Sequence, residues 1–419
     1  MLNRRTATAG LFGAALAPAW ARASPGDADM AMAISARSRS GRYLAAWPRM
    51  VANPDPVLRD TLQQWAALLG DETTALAGAG RPRPAPDLTD ARAEDALAVI
   101  VRAAKGRRVV MLNEAHVASR HRAFLARVAR ALRDEGFTHL AAETFSNPGV
   151  QLLRLPFPPV ETLLPGAALN PGHGFYINDP VYAEAVREAL ALGYRLVAYE
   201  QRPDQIVPTE TLQAGTPRRE QAQAENLAAA LKQSPKGRFL VHVGYGHLSK
   251  TPIDGVGPMM AGRLKALTGI DPLSIGQDST GSFAPHATDS AASQAVLAKF
   301  QPKDSIAVFD ATGRALYARR SGCDLTIFHP PMPDVEGRAG WLAAAEGRRR
   351  VAVRLPRPAP GGYVLAQAVP AADPDPAIPA DQYLLAEGAR EAIFHLRPGR
   401  YRVRLETPEG FTAVGDAHA

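Results

Sequence analysis

The sequence predicts an α/β protein: a mostly parallel sheet flanked by helices, with a small C-terminal antiparallel β domain. Three observations predict it. Short apolar runs at residues 109–112, 138–142, 194–199 and 239–243 alternate with stretches whose apolar residues fall at helical spacing. Each run ends in chemistry: Glu114 and His116, Glu143, Glu200, and His247 just after Gly244-Tyr245-Gly246. Past Pro330-Pro331-Met332-Pro333 the helical spacing gives way to short alternating runs divided by Pro and Gly.

In chain order, Asn3-Arg4-Arg5-Thr6, a short apolar run and Ala21-Arg22-Ala23 predict an export signal over residues 1–23, of twin-arginine type. The apolar run is too short to span a bilayer. The mature protein is then expected in the periplasm or secreted, with no spanning segment. Residues 24–88 read as a tether and a helix: Val57, Leu58, Leu62, Trp65 and Leu69 share a helical face closed by Gly70, before a Pro/Arg linker at 78–86. A helix capped by Thr89 or Asp90 and running to Ala104 leads into the first strand, opening an α/β domain over residues 89–330. Phe124, Leu125, Val128 and Leu132 mark the next helix, with Gly136 past its end. Residues 144–180 hold seven prolines and leave the strand that ends at Glu143, the position of a lid. Asp179-Pro180 opens a helix that Gly193 stops. Helices are expected over 217–233, 253–267 and 293–300, with strands at 272–276, 305–310 and 325–328. Residues 335–419 read as a β-sandwich-like domain, Tyr401-Arg402-Val403-Arg404-Leu405 being its cleanest alternation.

Charge and cysteine content narrow the function. Loss of Arg4, Arg5 and Arg22 with the signal lowers the net charge from +7 to +4, and no basic stripe with interleaved aromatics appears, so nucleic acid is a poor partner. The lone Cys323 forms no intramolecular disulfide.

In a parallel sheet, ligands sit outside the carboxyl ends of the strands, and the alternation brings Glu114, His116, Glu143, Glu200 and His247 to that edge. Two imidazoles and several carboxylates suit a divalent transition metal (Zn, Mn, Fe or Co), with His116, Glu143 and His247 as ligands and Glu114 as base. The expected activity is hydrolysis of an ester or amide in a small-molecule or peptide substrate, by a metal or a His/Glu pair activating water. The alternative is a haem- or iron-binding envelope protein, with Tyr245 as the iron ligand. His121 and Glu200 are accessory candidates; His139 and His242, inside strands, read as core histidines.

Asn113-Glu114-Ala115-His116, His121, Glu135-Gly136-Phe137, Ala142-Glu143 and Gly244-Tyr245-Gly246-His247, with the stretch from Arg219-Glu220 to Asn226 between, resemble the erythromycin esterase/ChaN-like group, related to the TIKI/TraB superfamily. The resemblance covers about residues 90–280. It implies a metal-dependent protease, a His/Glu esterase or a haem binder, with His116, Glu143 and His247 at the motif histidines and intervening acid and Glu114 at the motif acid. Asn113 stands where the group has glycine.

Overall fold

A computed structural model of the chain describes residues 40–52, 59–77, 85–147, 158–207, 212–253, 256–277, 291–317 and 322–419. The export signal, the start of the tether, most of the Pro/Arg linker and residues 148–157 of the expected lid lie outside the described residues.

The fold class is the one the sequence predicts. Eight strands form one sheet: β1 (Arg92–Asp95), β2 (Val109–Glu114), β3 (His139–Ala142), β4 (Arg195–Ala198), β5 (Phe239–Gly244), β6 (Leu273–Gln277), β7 (Ile306–Phe309) and β8 (Leu325–Phe328). Their order is β1-β7-β8-β6-β2-β5-β3-β4. The run from β8 to β4 is parallel, and only the pairings of β7 with β8 and β1 are antiparallel. Period-2 alternation divides the strand residues between two cores. Val110, Leu112, Leu140 and Leu240 pack on one face with the helices Ala96–Ala104, Ser119–Asp134 and Pro180–Ala191. Val109, Met111, Ala141, Val241 and Val243 pack on the other with Leu227, Leu231 and Leu264.

Two expected boundaries move. The helix expected from Thr89 or Asp90 begins at Ala96, where the Asp95 carboxylate accepts from the Ala98 N–H at 2.8 Å. Residues Arg92–Asp95 pair instead with β7, a four-residue edge strand too polar to announce itself. The helix expected from residue 253 begins at Met260.

The C-terminal region holds a four-stranded antiparallel sheet, Asp381–Leu384, Leu365–Pro370, Arg400–Glu406 and Phe411–His418 in that order, and a two-stranded one, Arg349–Arg354 with Glu391–Leu396. They share a core of Val364, Ala366, Phe394, Leu396, Tyr401 and Val403. This region is docked closely. Ile378 joins the core of the α/β unit, the Arg187 guanidinium donates to the Ile378 carbonyl at 2.6 Å, and Arg397 reaches Glu184 at 2.7 Å. From Ser40 onward, the chain read as a tether and helix is packed. Tyr43, Trp47 and Trp65 form a cluster with Val117 and Ala118 of the α/β unit and Leu365 of the β domain. Gln382 donates to the Leu68 carbonyl at 2.6 Å, and the Leu44 N–H to Glu406 at 2.7 Å. Among the described residues no helix is long and apolar enough to cross a membrane.

Candidate active site

Sheet order explains why distant residues meet. β2, β5 and β3 are neighbours, with Glu114 in register with Gly244 and Ala142 with His242. The carboxyl ends of these strands therefore release Glu114, Glu143 and the 244–247 turn side by side. Tyr245 takes a left-handed backbone (φ 41°), its N–H donating to the Glu114 carbonyl at 2.7 Å and its carbonyl accepting from the Asn113 side chain at 2.9 Å. Asn113 itself stays in the strand. Its side chain acts as a clamp, since its Oδ1 also accepts from the Gln277 N–H at 2.7 Å.

The first arm of the site is built on Glu114. Its carboxylate lies 2.8 Å from Nδ1 of His116 and accepts from Arg122 at 2.6 and 3.0 Å. Arg122, wholly buried, also donates to the His116 carbonyl at 2.9 Å and to Asp179 at 2.7 Å. Asp179 caps the following helix through Val181 N–H and accepts from the Ser119 hydroxyl at 2.7 Å. Burial works to raise the Glu114 pKa, but the Arg122 charge and the bonds from His116 and Arg122 outweigh it and hold the carboxyl well below the usual range. An ionised carboxylate only accepts, so Nδ1 of His116 carries a proton and donates it to Glu114, which leaves Nε2 as the nitrogen turned to the space beyond. Tyr176 stacks on that ring at 3.9 Å and Tyr245 meets it edge-on at 4.7 Å. Tyr176 comes from the Pro-rich excursion, so its described part does cover His116.

The second arm is built on Glu143. It accepts from the Gly244 N–H at 2.5 Å and from Arg219 at 2.6 Å, and lies 3.5 Å from Nε2 of His247. Arg219 also binds Glu200, which accepts from Gln223 at 2.9 Å. Nδ1 of His247 is 2.6 Å from Glu220, an ion-pair approach rather than an aligned hydrogen bond. The buried Glu220 accepts from the Met260 N–H with its other oxygen. Burial would lower the His247 pKa, yet Glu220 and Glu143 push it up to about 10, so the ring is an imidazolium at neutral pH. Burial likewise works against Glu143, but His247 and Arg219 hold it well below its ordinary value.

Gly244 joins the arms. A Cβ there would stand 2.6 Å from Nε2 of His116 and 2.9 Å from Oε2 of Glu143, so only glycine lets the His116 ring and the Glu143 carboxylate face one space.

The structure thus brings together Glu114, His116, Glu143, Tyr245 and His247, and joins Glu200 through Arg219. His121 turns away. Its Nδ1 accepts from the Ala115 N–H at 3.0 Å, which fixes the turn that carries His116. The donor set His116, Glu143 and His247 does not fit a metal ion. Arg219 already stands against both Glu143 and His247, 3.4 Å from Nε2 of the latter, where an ion would have to sit. Among the described residues no group of three or more His, Cys, Asp or Glu is placed to hold a metal. Tyr245, the expected haem ligand, presents its ring edge to His116.

Sequence reasoning named none of Arg122, Asp179, Tyr176, Arg219 and Glu220 as a site residue. Arg122 lies in a helix with Arg120, Arg127, Arg130 and Arg133, where it looks like part of a solvated face. Arg219-Glu220 was visible as a basic-acidic helix start, and buried positions of opposite charge on one helical turn were the available signal.

No model of a known protein family matches the chain, and no curated protein matches it. Among solved structures it is similar to the type III effector HopBA1, at 14% identity and a TM-score of 0.35 over 60% of this chain and 97% of that one. It is also similar to RRSP, a MARTX toxin effector domain from Vibrio vulnificus (17%, TM-score 0.30, 57% of this chain and 43% of that one). A third likeness is to the C-terminal region of Pasteurella multocida toxin, described as having a thiol-protease-like catalytic triad (15%, TM-score 0.30, 57% and 29%). The chain spans less than half the length of the last two, and likenesses at this level carry no argument about function.

Proposed function

We propose that the chain is a hydrolase of an ester or amide bond in which His116 is the general base and no metal takes part. One observation carries the reading. His116 Nδ1 is bonded to a carboxylate that Arg122 keeps ionised, so the ring is oriented with Nε2 as its basic atom, facing Glu143 across Gly244. In this mechanism Nε2 takes a proton from water as its oxygen attacks the carbonyl carbon. The His247 imidazolium and Arg219 stabilise the charge that develops on the carbonyl oxygen. The carbonyl re-forms, the bond to the leaving group breaks, and His116 returns the proton to the departing alkoxide or amine. Glu143 holds both cations in place. The motif resemblance to the erythromycin esterase/ChaN-like group supports the same assignment of Glu114, His116, Glu143 and His247. Export to the periplasm, from residues 1–23, belongs to the proposal, and N-terminal sequencing of native protein beginning at Met1 refutes that part.

The test is hydrolysis of p-nitrophenyl butyrate and a panel of peptide p-nitroanilides by the full mature chain, with and without a chelator. Activity that survives chelation and falls about 10³-fold or more in both His116→Ala and His247→Ala, with the double variant little worse, is expected. Full activity in His116→Ala, or loss on chelation that added metal restores, overturns the reading.

A further inference from the structure

The Glu114–His116 pair has a support that neither strand end supplies. Arg122 is held from beneath by two tyrosine rings, Tyr176 at 5.3 Å and Tyr182 at 5.5 Å from its guanidinium carbon. Tyr182 is fixed in turn. Its hydroxyl lies 2.5 Å from Nδ1 of His242, the rings nearly perpendicular at 5.0 Å. His242 is a fully buried strand residue of β5, directly before the site, and among the described residues its Nε2 has no hydrogen-bond partner. An unsatisfied buried nitrogen is costly, and a leucine of similar volume would fill the place of a plain core residue without that cost. What the structure gives this residue is the bond between its other nitrogen and Tyr182.

We propose that His242 and Tyr182 form a positioning relay for the general base: His242 fixes Tyr182, Tyr182 fixes Arg122, Arg122 fixes and ionises Glu114, and Glu114 orients His116. The proposal deepens the hydrolase reading, since it names residues that act on the same site without touching substrate. The relay needs a neutral imidazole, because a cation at His242 would face Arg122. The charged and titratable groups around it are Glu114, Arg122, Glu143 and His116, together with Tyr182 itself, and burial followed by Arg122 pulls its pKa down to about 4 against the raising effect of Glu114 and Glu143.

The relay is tested without relying on turnover. In the full chain, proton NMR reads the far-downfield proton of the His116 Nδ1–H bond to Glu114, assigned by its loss in His116→Gln. Rates on p-nitrophenyl butyrate are measured in parallel. Tyr182→Leu removes ring and hydroxyl; Tyr182→Phe keeps the ring; His242→Gln keeps a polar partner. Tyr194→Phe is the control, a buried tyrosine whose hydroxyl bond to the Ala129 carbonyl is equally lost but lies outside the relay. Expected results are a resonance intact in the control, shifted or broadened in Tyr182→Phe and His242→Gln, and absent in Tyr182→Leu. The rate should fall about tenfold or more through kcat with KM unchanged, and the Tyr182→Phe/His242→Gln double variant should be no worse than either single one. If Tyr182→Leu does not fold, the two volume-preserving variants decide. An unaltered resonance in both of those, additive effects of the two, or a wild-type protein without the resonance overturns the relay. A wild-type resonance that obeys these expectations in a protein that hydrolyses nothing leaves the relay standing and removes the hydrolase reading.

Discussion

Glu220→Gln probes the charge state on which the cationic half of the site depends. Glu220 is buried, with one oxygen 2.6 Å from Nδ1 of His247 and the other accepting from the Met260 N–H at 2.6 Å. A glutamine keeps the volume and can still accept from Met260, so the change removes little but the charge. The rise of the His247 pKa from 6.5 to about 10 amounts to roughly 5 kcal/mol, at about 1.4 kcal/mol per factor of ten. Glu220 is the larger of the two raising charges and the nearer, so about half of that sum, roughly 2–3 kcal/mol, falls to it. A raised folded pKa stabilises the fold fully below the unfolded value of 6.5 and loses that contribution as pH rises through about 10. The variant should therefore be about 2–3 kcal/mol less stable near neutral pH, with the deficit fading as pH approaches about 10. Its His247 ring should titrate roughly two pH units lower. Urea unfolding at neutral and alkaline pH gives the first quantity. A carbon-resolved NMR titration of the His247 ring, assigned through His247→Gln, gives the second. A midpoint that stays put, or a deficit just as large near pH 10, refutes the argument that Glu220 keeps His247 charged.

Three further outcomes follow from the geometry. Gly244→Ala places a Cβ 2.3 Å from Cε1 of His116; hydrolysis should fall about 10²-fold or more while the circular dichroism spectrum is retained, and a fully active variant would mean that the His116 ring does not work from this position. Arg122→Lys cannot serve Glu114, Asp179 and the His116 carbonyl together, so unfolding should be easier by about 3 kcal/mol or more, as for a broken buried ion pair; unchanged stability would contradict the burial of that network. A chain ended near residue 330 should lose cooperative unfolding in a thermal scan, since it removes Ile378, Arg397 and Gln382 from their partners. From the sequence the Pro-rich junction looked like a boundary across which the α/β unit could stand alone; the docking contacts argue the opposite.

Which parts were legible follows from the range of the interactions. Strands β2 to β5 were visible because a buried parallel strand is a short apolar run between breakers, and the residues that end such runs must lie at one edge. That reasoning reached Glu114, His116, Glu143 and His247 without knowledge of strand order. It could not reach β1, whose four residues are polar and paired along a sheet edge. It could not tell that Tyr43 and Trp47 are buried, because what covers them includes Leu365, more than three hundred residues away. Asp179 was read as a helix cap, and it is one; its second oxygen, which holds Arg122, leaves no trace in the sequence. His242 was read as a core histidine. The structure agrees on burial and adds the bond to Tyr182 that a core role alone does not require.

The buried charges of the site lie in two short chains of alternating sign. One runs Asp179, Arg122, Glu114, His116, and the other Glu200, Arg219, Glu143, His247, Glu220. Each internal carboxylate touches a basic side chain on either side, so removal of one of those partners leaves a buried carboxylate less well compensated. The chains end differently. In the first, Arg122 keeps Glu114 ionised, and Glu114 accepts from Nδ1 of His116. The second closes on His247 between two carboxylates, which keeps that ring cationic. On the proposed mechanism the two histidines take different tasks, proton acceptor and fixed positive charge, and Gly244 lies between Nε2 of His116 and the Glu143 carboxylate. The division rests on neighbours contributed by the helices Ser119–Asp134 and Leu212–Gln233 together with the strand-end carboxylates Glu114 and Glu143. Exchanging those helix residues, Arg122 or Glu220, should therefore move the charge states more than exchanging the residues that flank the histidines in sequence.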